Sequence, residues 1–368
     1  LKTHIHKTRA RGIILPIVMM VIFVLSVIVG GFVYSMKVEM KLAHNDNYDA
    51  ELEWIARGGI EWAKFALVQK CPGQANIDAL NQPWAGGTGC TNDPLTAAGV
   101  DLKNIPFGPN GVAHVTIVDM ERKWNINAIA NPRGIQNNVL QQIFSVMGVN
   151  DPSITSTIID SMADWIDQDD QRRFNGAEGD YYTHLIPPYF CKDGYIDDLS
   201  ELLLIKGVDP EMYSVSNTVA AYQMKANRNL RDRTPPSYSA HFDELLTTMG
   251  RGRININTAS ALVLQTIPGM DAETAASIIK ARAGLDGVDG TEDDVPFQNP
   301  GQINGQTIPG MSFGPSLSAV TQFCDVRSFY FEVTVEAEIS GAKRTYHAIL
   351  ARHPSRPMEP QIVRFYWE

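Results

Sequence analysis

Positive charge, cysteine and catalytic signatures are what this sequence has least of. Lys and Arg number 31 against 41 Asp and Glu, a formal net charge of −10. That balance disfavours nucleic acid and anionic lipid surfaces as general partners. The four cysteines, Cys71, Cys90, Cys191 and Cys324, form no C-x-x-C pair and no Cys/His cluster, which removes the usual zinc patterns. The eight histidines are scattered. There is no H-E-x-x-H, no P-loop and no G-x-G-x-x-G. The chain is therefore read as something other than an enzyme.

Charge is also missing, entirely, between Gly12 and Met36. As a helix this run would measure roughly 37 Å, enough to cross a hydrocarbon core of about 30 Å with some tilt. It is too long for a secretory h-region, and no A-x-A-like cleavage site follows it. Lys2, Lys7, Arg9 and Arg11 precede it, whereas Lys37 and Lys41 beyond it are offset by Glu39 and Asp46. The positive-inside bias predicts a cytoplasmic N-terminus and one large exported body. In an oxidising compartment four cysteines allow three pairings. Cys71 with Cys90 is the easiest, because only a Pro/Gly-rich loop separates them.

Beyond the apolar run the helical period continues. Leu52, Ile55, Gly59, Ala63 and Ala66 recur at three- and four-residue steps among charged neighbours, which predicts an amphipathic helix to about Lys70. Cys71-Pro72-Gly73 ends it, and Gly30-Gly31 and Asn45-Asp46-Asn47 are places where it could bend. Residues 71–110 carry loop chemistry. "VAHVTIVDMERKWNIN" alternates and predicts a strand hairpin turning near Glu121. From about Ala128 to Ala283 the pattern is mainly helical, and "FYFEVTVEAEIS", Ser340-Gly341-Ala342-Lys343 and "RTYHAILARH" predict a hairpin, with "IVRFYWE" a further strand. Strands on both sides of a helical block predict an α+β fold with a large all-α domain inserted.

These features resemble the type IV pilins and pseudopilins: a short basic leader ending in Arg11-Gly12, a long apolar helix from Ile13, and an α+β head. The resemblance implies that a prepilin peptidase cuts between Gly12 and Ile13 and that the apolar helix is retained. Within that group, "KWNINAIA", "DSMADWIDQDDQRRFNGAEGDYY" and "RININTASALVLQTIPGM" are similar to the protein K family, the large minor pseudopilins of type II secretion. The resemblance covers nearly the whole chain. It implies a cytoplasmic prepilin leader at 1–12, a transmembrane helix at 13–36, a periplasmic helix and first part of a pilin-like head at 37–127, a helical insert at 128–315, and the last strands of the head at 316–368. It further implies a single-pass inner-membrane protein at the tip of a periplasmic pseudopilus. Its partners would be other minor pseudopilins, the major pseudopilin, the prepilin peptidase and the inner-membrane assembly platform. Most pilins carry a glutamate five residues after the cut, and here that position is Ile17. A subunit with no neighbour above it has no terminal amine to pair with, so an apolar residue there avoids the cost of a carboxylate in hydrocarbon. Read without the resemblance, Ile17 is one more apolar residue of an anchor.

Two acidic clusters invite calcium, which takes six to eight oxygens. The first is Asp164, Asp167, Asp169, Asp170, Glu178 and Asp180, with the alternative that these acids only pair with Arg172 and Arg173. The family resemblance implies a calcium-holding helical domain here. The second is Asp286, Asp289, Glu292, Asp293 and Asp294, which does not match the EF-hand spacing and alternatively is a solvated loop. Finally, "INTASALVLQTIPGMDAETAASIIKAR" resembles a helix-hairpin-helix, a DNA-binding motif in other proteins. Asp271 replaces the second glycine of its hairpin and only Lys280, Arg282, Arg251 and Arg253 offer charge, so a packing role is favoured and nucleic acid is not expected as a partner.

Overall fold

The computed structural model describes residues 14–88, 95, 99, 101–134, 136–214, 238–303, 315–353 and 356–367. Helix α1 (Ile14–Val68) runs unbroken for 55 residues, through both Gly30-Gly31 and Asn45–Asn47. Its first part, Ile14–Lys41, has a mean hydropathy of 2.8 and no buried residue. Its second part is amphipathic as expected: Leu52, Ile55, Ala56, Ile60, Ala63, Ala66 and Leu67 are buried on the head. Gly58 and Gly59 let the helix lie close to the sheet. A Cβ on Gly59 would stand 2.8 Å from Val335 Cγ1, and one on Gly58 would collide with the edge of the Phe107 ring.

The sheet has five antiparallel strands in the order β1 (Ile105–Phe107), β2 (Gly111–Asp119), β7 (Tyr330–Ile339), β8 (Ala342–His353) and β9 (Arg356–Trp367). Alternate residues point at α1: Ala113, Val115 and Ile117 from β2, Phe331, Val333 and Val335 from β7, Tyr346, Ala348 and Leu350 from β8. The β7–β8 turn has Ile339 opposite Ala342, with Ser340 and Gly341 both at positive φ, the geometry that suits the right-handed twist of a tight hairpin. The α+β class, the C-terminal hairpin and the last strand all match expectation. β1 lies inside the stretch read as loop.

β2 does not turn back near Glu121. It ends at Asp119, and after a short 3₁₀ turn at Met120–Arg122 the chain leaves the sheet. β3 (Trp124–Asn125) pairs in parallel with β4 (Leu246–Thr247) instead. The alternation of "VAHVTIVDMERKWNIN" is genuine, but its second half belongs to another sheet. β2 and β7 are neighbours with Asp119 opposite Phe331, so the whole insert hangs between two adjacent strands.

The insert has its own core, reaching from Trp124 to Val326 with Ile77 added. Its longer helices are α2 (Asn137–Met147), α3 (Pro152–Ile166), α4 (Ala261–Gln265), α5 (Ala272–Arg282) and α6 (Pro315–Phe323). α6 and β6 (Cys324–Asp325, paired with β5, Ile254–Asn255) pack in this core, so the head resumes near Phe329 rather than at 316. "IDDLSELLLIKGV" forms only a 3₁₀ helix at Leu199–Leu204, opened by an Asp198/Glu201 capping box.

Where the insert meets the head, three buried carboxylates are fully engaged. Asp78 binds Lys70, Arg352 (2.7 Å) and the Ser328 amide (3.0 Å). Asp119 accepts from Thr258 Oγ1 (2.6 Å), Ser328 Oγ (2.6 Å) and Asn255 Nδ2 (3.1 Å). Glu121 accepts from Arg251 Nε (3.0 Å) and the Phe329 amide (2.8 Å). The strand exit, the strand re-entry and the loop after α1 are thereby tied together.

Candidate metal centre

The first acidic cluster sits at the C-terminal end of α3. Asp151 caps the helix and Pro152 occupies its first turn, so the register that follows stacks Asp160, Asp164 and Asp167 along one side. The chain then folds back. Arg173 bridges Asp164 Oδ1 (2.6 Å) and Asp167 Oδ2 (2.5 Å), and the Asn175 amide donates to Asp160 Oδ2 (3.1 Å). Gly176 lies against Asp164, where a Cβ would collide with the carboxylate, so glycine lets the loop close here without displacing Asp164. This delivers Glu178 to the cluster. Ligand oxygens of Asp164, Asp167 and Glu178 lie within 4.8 Å of one another.

Glu178 is 3% exposed, and neither of its carboxylate oxygens has a hydrogen-bond partner. Asp167 Oδ1 is also buried without one. Burial first, then the charges of Asp164, Asp167 and Asp193, push Glu178 up to about 7. Arg173 is committed to the two aspartates, and Lys206 donates to the Gly176 carbonyl (3.0 Å). A buried carboxylate without a partner is costly. The donor set is all oxygen, so a hard divalent cation fits it. Asp164, Asp167 and Glu178 would hold the ion, and its charge would lock the 168–178 loop onto α3.

Asp169, Asp170 and Asp180 are exposed and do not join this group; Asp169 instead accepts from the Gln171 amide (2.9 Å). The second cluster is satisfied from within. Asp293 Oδ2 accepts the amides of Leu285 (2.6 Å) and Asp286 (3.0 Å), and Asp294 Oδ2 accepts that of Gly290 (2.8 Å). Asp289 is paired with the buried Arg282 (2.7 Å), Asp286 accepts from the Val288 amide (2.8 Å), and Glu292 joins no described group of metal-ligating donors. The backbone amides of this loop thus hold much of its own carboxylate.

Cys71 is disulfide-bonded, while Cys191 and Cys324 are free thiols. Gly12, Ile13 and Cys90 lie outside the described residues. Ile17 is an exposed residue of α1. α4 and α5 do form a helical hairpin around Gly269, but Asp271 caps α5 by accepting from the Thr274 amide (2.8 Å). Arg282 is buried on Asp289, and Arg251 is held by Glu121 and Asp325. Half of the basic residues counted for phosphate binding are therefore occupied.

The junction carboxylates Asp78, Asp119 and Glu121 are not legible in the sequence as a group, since their partners lie far along the chain: Asp78 and Arg352 are 274 residues apart. Asp193 and Cys191 likewise reach Glu178 only through the fold.

Comparison with known proteins agrees with this architecture. The family model "Type II secretion system (T2SS), protein K" matches residues 122–224, the stretch that contains α2, α3 and the acidic cluster. Type II secretion system protein K of Klebsiella pneumoniae is 28% identical over 56% of this chain and 60% of its own length. The matched stretch thus spans about three-fifths of that relative. The Aeromonas hydrophila protein of the same name is 23% identical over 94% of this chain and 93% of its own. Among solved structures, a chain of the GspK-GspI-GspJ complex from enterotoxigenic Escherichia coli matches with a TM-score of 0.61 at 17% identity. The match covers 89% of this chain and 99% of that one, which shows a shared fold. Residues 122–224 thus carry the type II secretion system protein K domain, and with its long helix, its antiparallel sheet and an insert between β2 and β7 the chain as a whole is similar to the proteins of that name.

Proposed function

We propose that this chain is a minor pseudopilin at the tip of a type II secretion pseudopilus, where it starts assembly together with other minor pseudopilins. The observation that carries the reading is the divided character of α1. One continuous helix is apolar all round from Ile14 to Met36 and, farther along, buries a single stripe under its own head. A bare rod of this kind needs lipid or other rods around it. It anchors the chain in the inner membrane, with the N-terminus cytoplasmic and the body periplasmic. On assembly it passes from lipid to a bundle with other minor pseudopilins and the major pseudopilin, on the inner-membrane platform. Ile17 in place of an acid suits a subunit with nothing above it. The role is structural, and no feature of the hairpin at Gly269 favours DNA binding over packing.

Expression of the full chain with a prepilin peptidase should give a product whose first residue is Ile13 and which co-purifies in detergent with small pilin-like proteins from the same cell. A product that retains Gly12, or one that purifies without any such companion, overturns the reading.

Calcium belongs to the same proposal. Ca²⁺ held by Asp164, Asp167 and Glu178 stiffens the insert. At a hundredfold excess over its dissociation constant it should stabilise the folded chain by about 2.7 kcal/mol, so chelation lowers Tm. Glu178→Gln should abolish the response to Ca²⁺ without lowering the stability of the chelated protein, because it removes an unpartnered buried charge. An identical melt with and without chelator removes calcium from the reading.

A further inference from the structure

Cys191 stands on the other side of Glu178. Its Sγ, a Glu178 oxygen and an Asp193 oxygen lie within 4.8 Å of one another, a spread that a single cation can bridge. Cys191 is half-buried; its thiol makes a long contact, 3.8 Å, with the carbonyl of Asp164 and also interacts with Asp193. Asp193 is exposed and adopts a left-handed φ of 51°, and the next amide, Gly194, donates to the Trp165 carbonyl at the end of α3 (3.3 Å). The loop is therefore pinned beside Glu178 rather than passing it by chance. Glu178 meanwhile has two buried oxygens and no partner for either. Four carboxylates, Asp164, Asp167, Glu178 and Asp193, converge here with Arg173, which bonds only the first two.

We propose that Glu178, Cys191 and Asp193 form a sulfur-bearing site for a zinc-class divalent cation. Calcium takes oxygen ligands and gains nothing from a thiol, whereas zinc accepts Cys sulfur and carboxylate oxygen together and commonly uses three protein ligands plus water. As Sγ bonds the cation, its proton leaves to solvent and no oxidation occurs. The three ligands come from two segments that only the fold brings together, so no spacing motif announces the site. It shares Glu178 with the calcium reading but does not depend on it, because each of the two carboxylate oxygens can face a different ion.

Co²⁺ is the probe. Added to chelator-treated, dialysed full-length protein in detergent, it should produce a thiolate-to-cobalt charge-transfer absorption that Zn²⁺ then abolishes. Cys191→Ser should remove the band, while Cys324→Ser, which alters the other free thiol, should leave it. Asp193→Asn changes an exposed residue to one that also tolerates a left-handed φ, and should weaken Co²⁺ by at least the roughly tenfold that loss of even a supporting group costs. No band in the unmodified protein, or a band that survives Cys191→Ser, overturns the proposal. Should Ca²⁺ raise Tm equally in the unmodified protein and Cys191→Ser while Co²⁺ gives no band, calcium stands and this site falls. A cobalt band that depends on Cys191, without any effect of Ca²⁺ on Tm, supports this site and removes calcium.

Discussion

Arg352→Met is expected to destabilise the folded chain by about 3–5 kcal/mol, the range for breaking a buried ion pair from one side. Burial alone would raise the Asp78 pKa, but the charges of Arg352 and Lys70 prevail and hold it below the usual carboxylate range. Arg352 does more than neutralise Asp78. It donates to the Leu67 carbonyl in the last turn of α1, and its guanidinium lies 4.5 Å above the Phe331 ring. Removing it leaves the fully buried Asp78 carboxylate with only Lys70 and the Ser328 amide, and frees a helix-terminal carbonyl. Lys70→Met should cost less, since the Lys70 side chain is 19% exposed and water can take its place. Adding Asp78→Leu to Arg352→Met should recover much of the loss, because the one charge then left without its partner, Lys70, has a side chain 19% exposed that water can reach. Urea unfolding of the three variants checks this. A single-variant loss under about 1 kcal/mol, or a double variant no better than the single, would contradict it.

The second large effect lies in pH. Burial, with smaller contributions from Glu121 and Asp78, pushes Asp119 up to about 6 despite the hydroxyls of Ser328 and Thr258. In the unfolded chain the same carboxyl titrates near its ordinary value of 3.8. Between these two values the folded state binds more protons, so Asp119's contribution is complete below about pH 4 and is lost as pH rises through about 6. A separation of about two pH units corresponds to roughly 3 kcal/mol. Asp78, whose pKa is lowered, acts in the opposite sense and below about pH 4, outside this window. Asp119→Asn cannot titrate. The stability advantage of the unmodified protein over it should therefore shrink by about 3 kcal/mol from about pH 4 to about pH 7. Unfolding curves of both proteins at several pH values measure this, and a constant difference would show that Asp119 stays ionised throughout.

Both predictions concern the seam between head and insert, and that seam is where local reading fails. The alternation from Val112 to Asp119 is a strand by any measure, and it is one. What the pattern cannot say is that Trp124 and Asn125 continue into a different sheet, because a period of two identifies a strand but not its partner. The border near 316 shifts for a related reason. α6 is apolar on one side, as a helix of either domain would be, and only its contacts assign it to the insert.

The acidic clusters show the same division. Both are conspicuous in the sequence, and by composition both are equally able to wrap an ion. The loop at 286–294 spends its carboxylates on its own amides, while the turn after α3 leaves Glu178 buried and unpartnered. Whether an acid is satisfied depends on atoms within about 3 Å, and most of those come from elsewhere in the chain. Of the aspartates between 164 and 180, the helical period selects Asp164 and Asp167 for one face, and the fold leaves Asp169, Asp170 and Asp180 in water.

Sequence alone determined the long apolar helix, its amphipathic continuation, the C-terminal hairpin and the α+β class. Each of these follows from a repeat of two or 3.6 residues, or from an uncharged run measured against a bilayer. Only the tertiary structure decided where the insert leaves and rejoins the sheet, which carboxylates remain without a partner, and which thiol stands beside them. Those are matters of long-range contact and desolvation, and no local pattern encodes them.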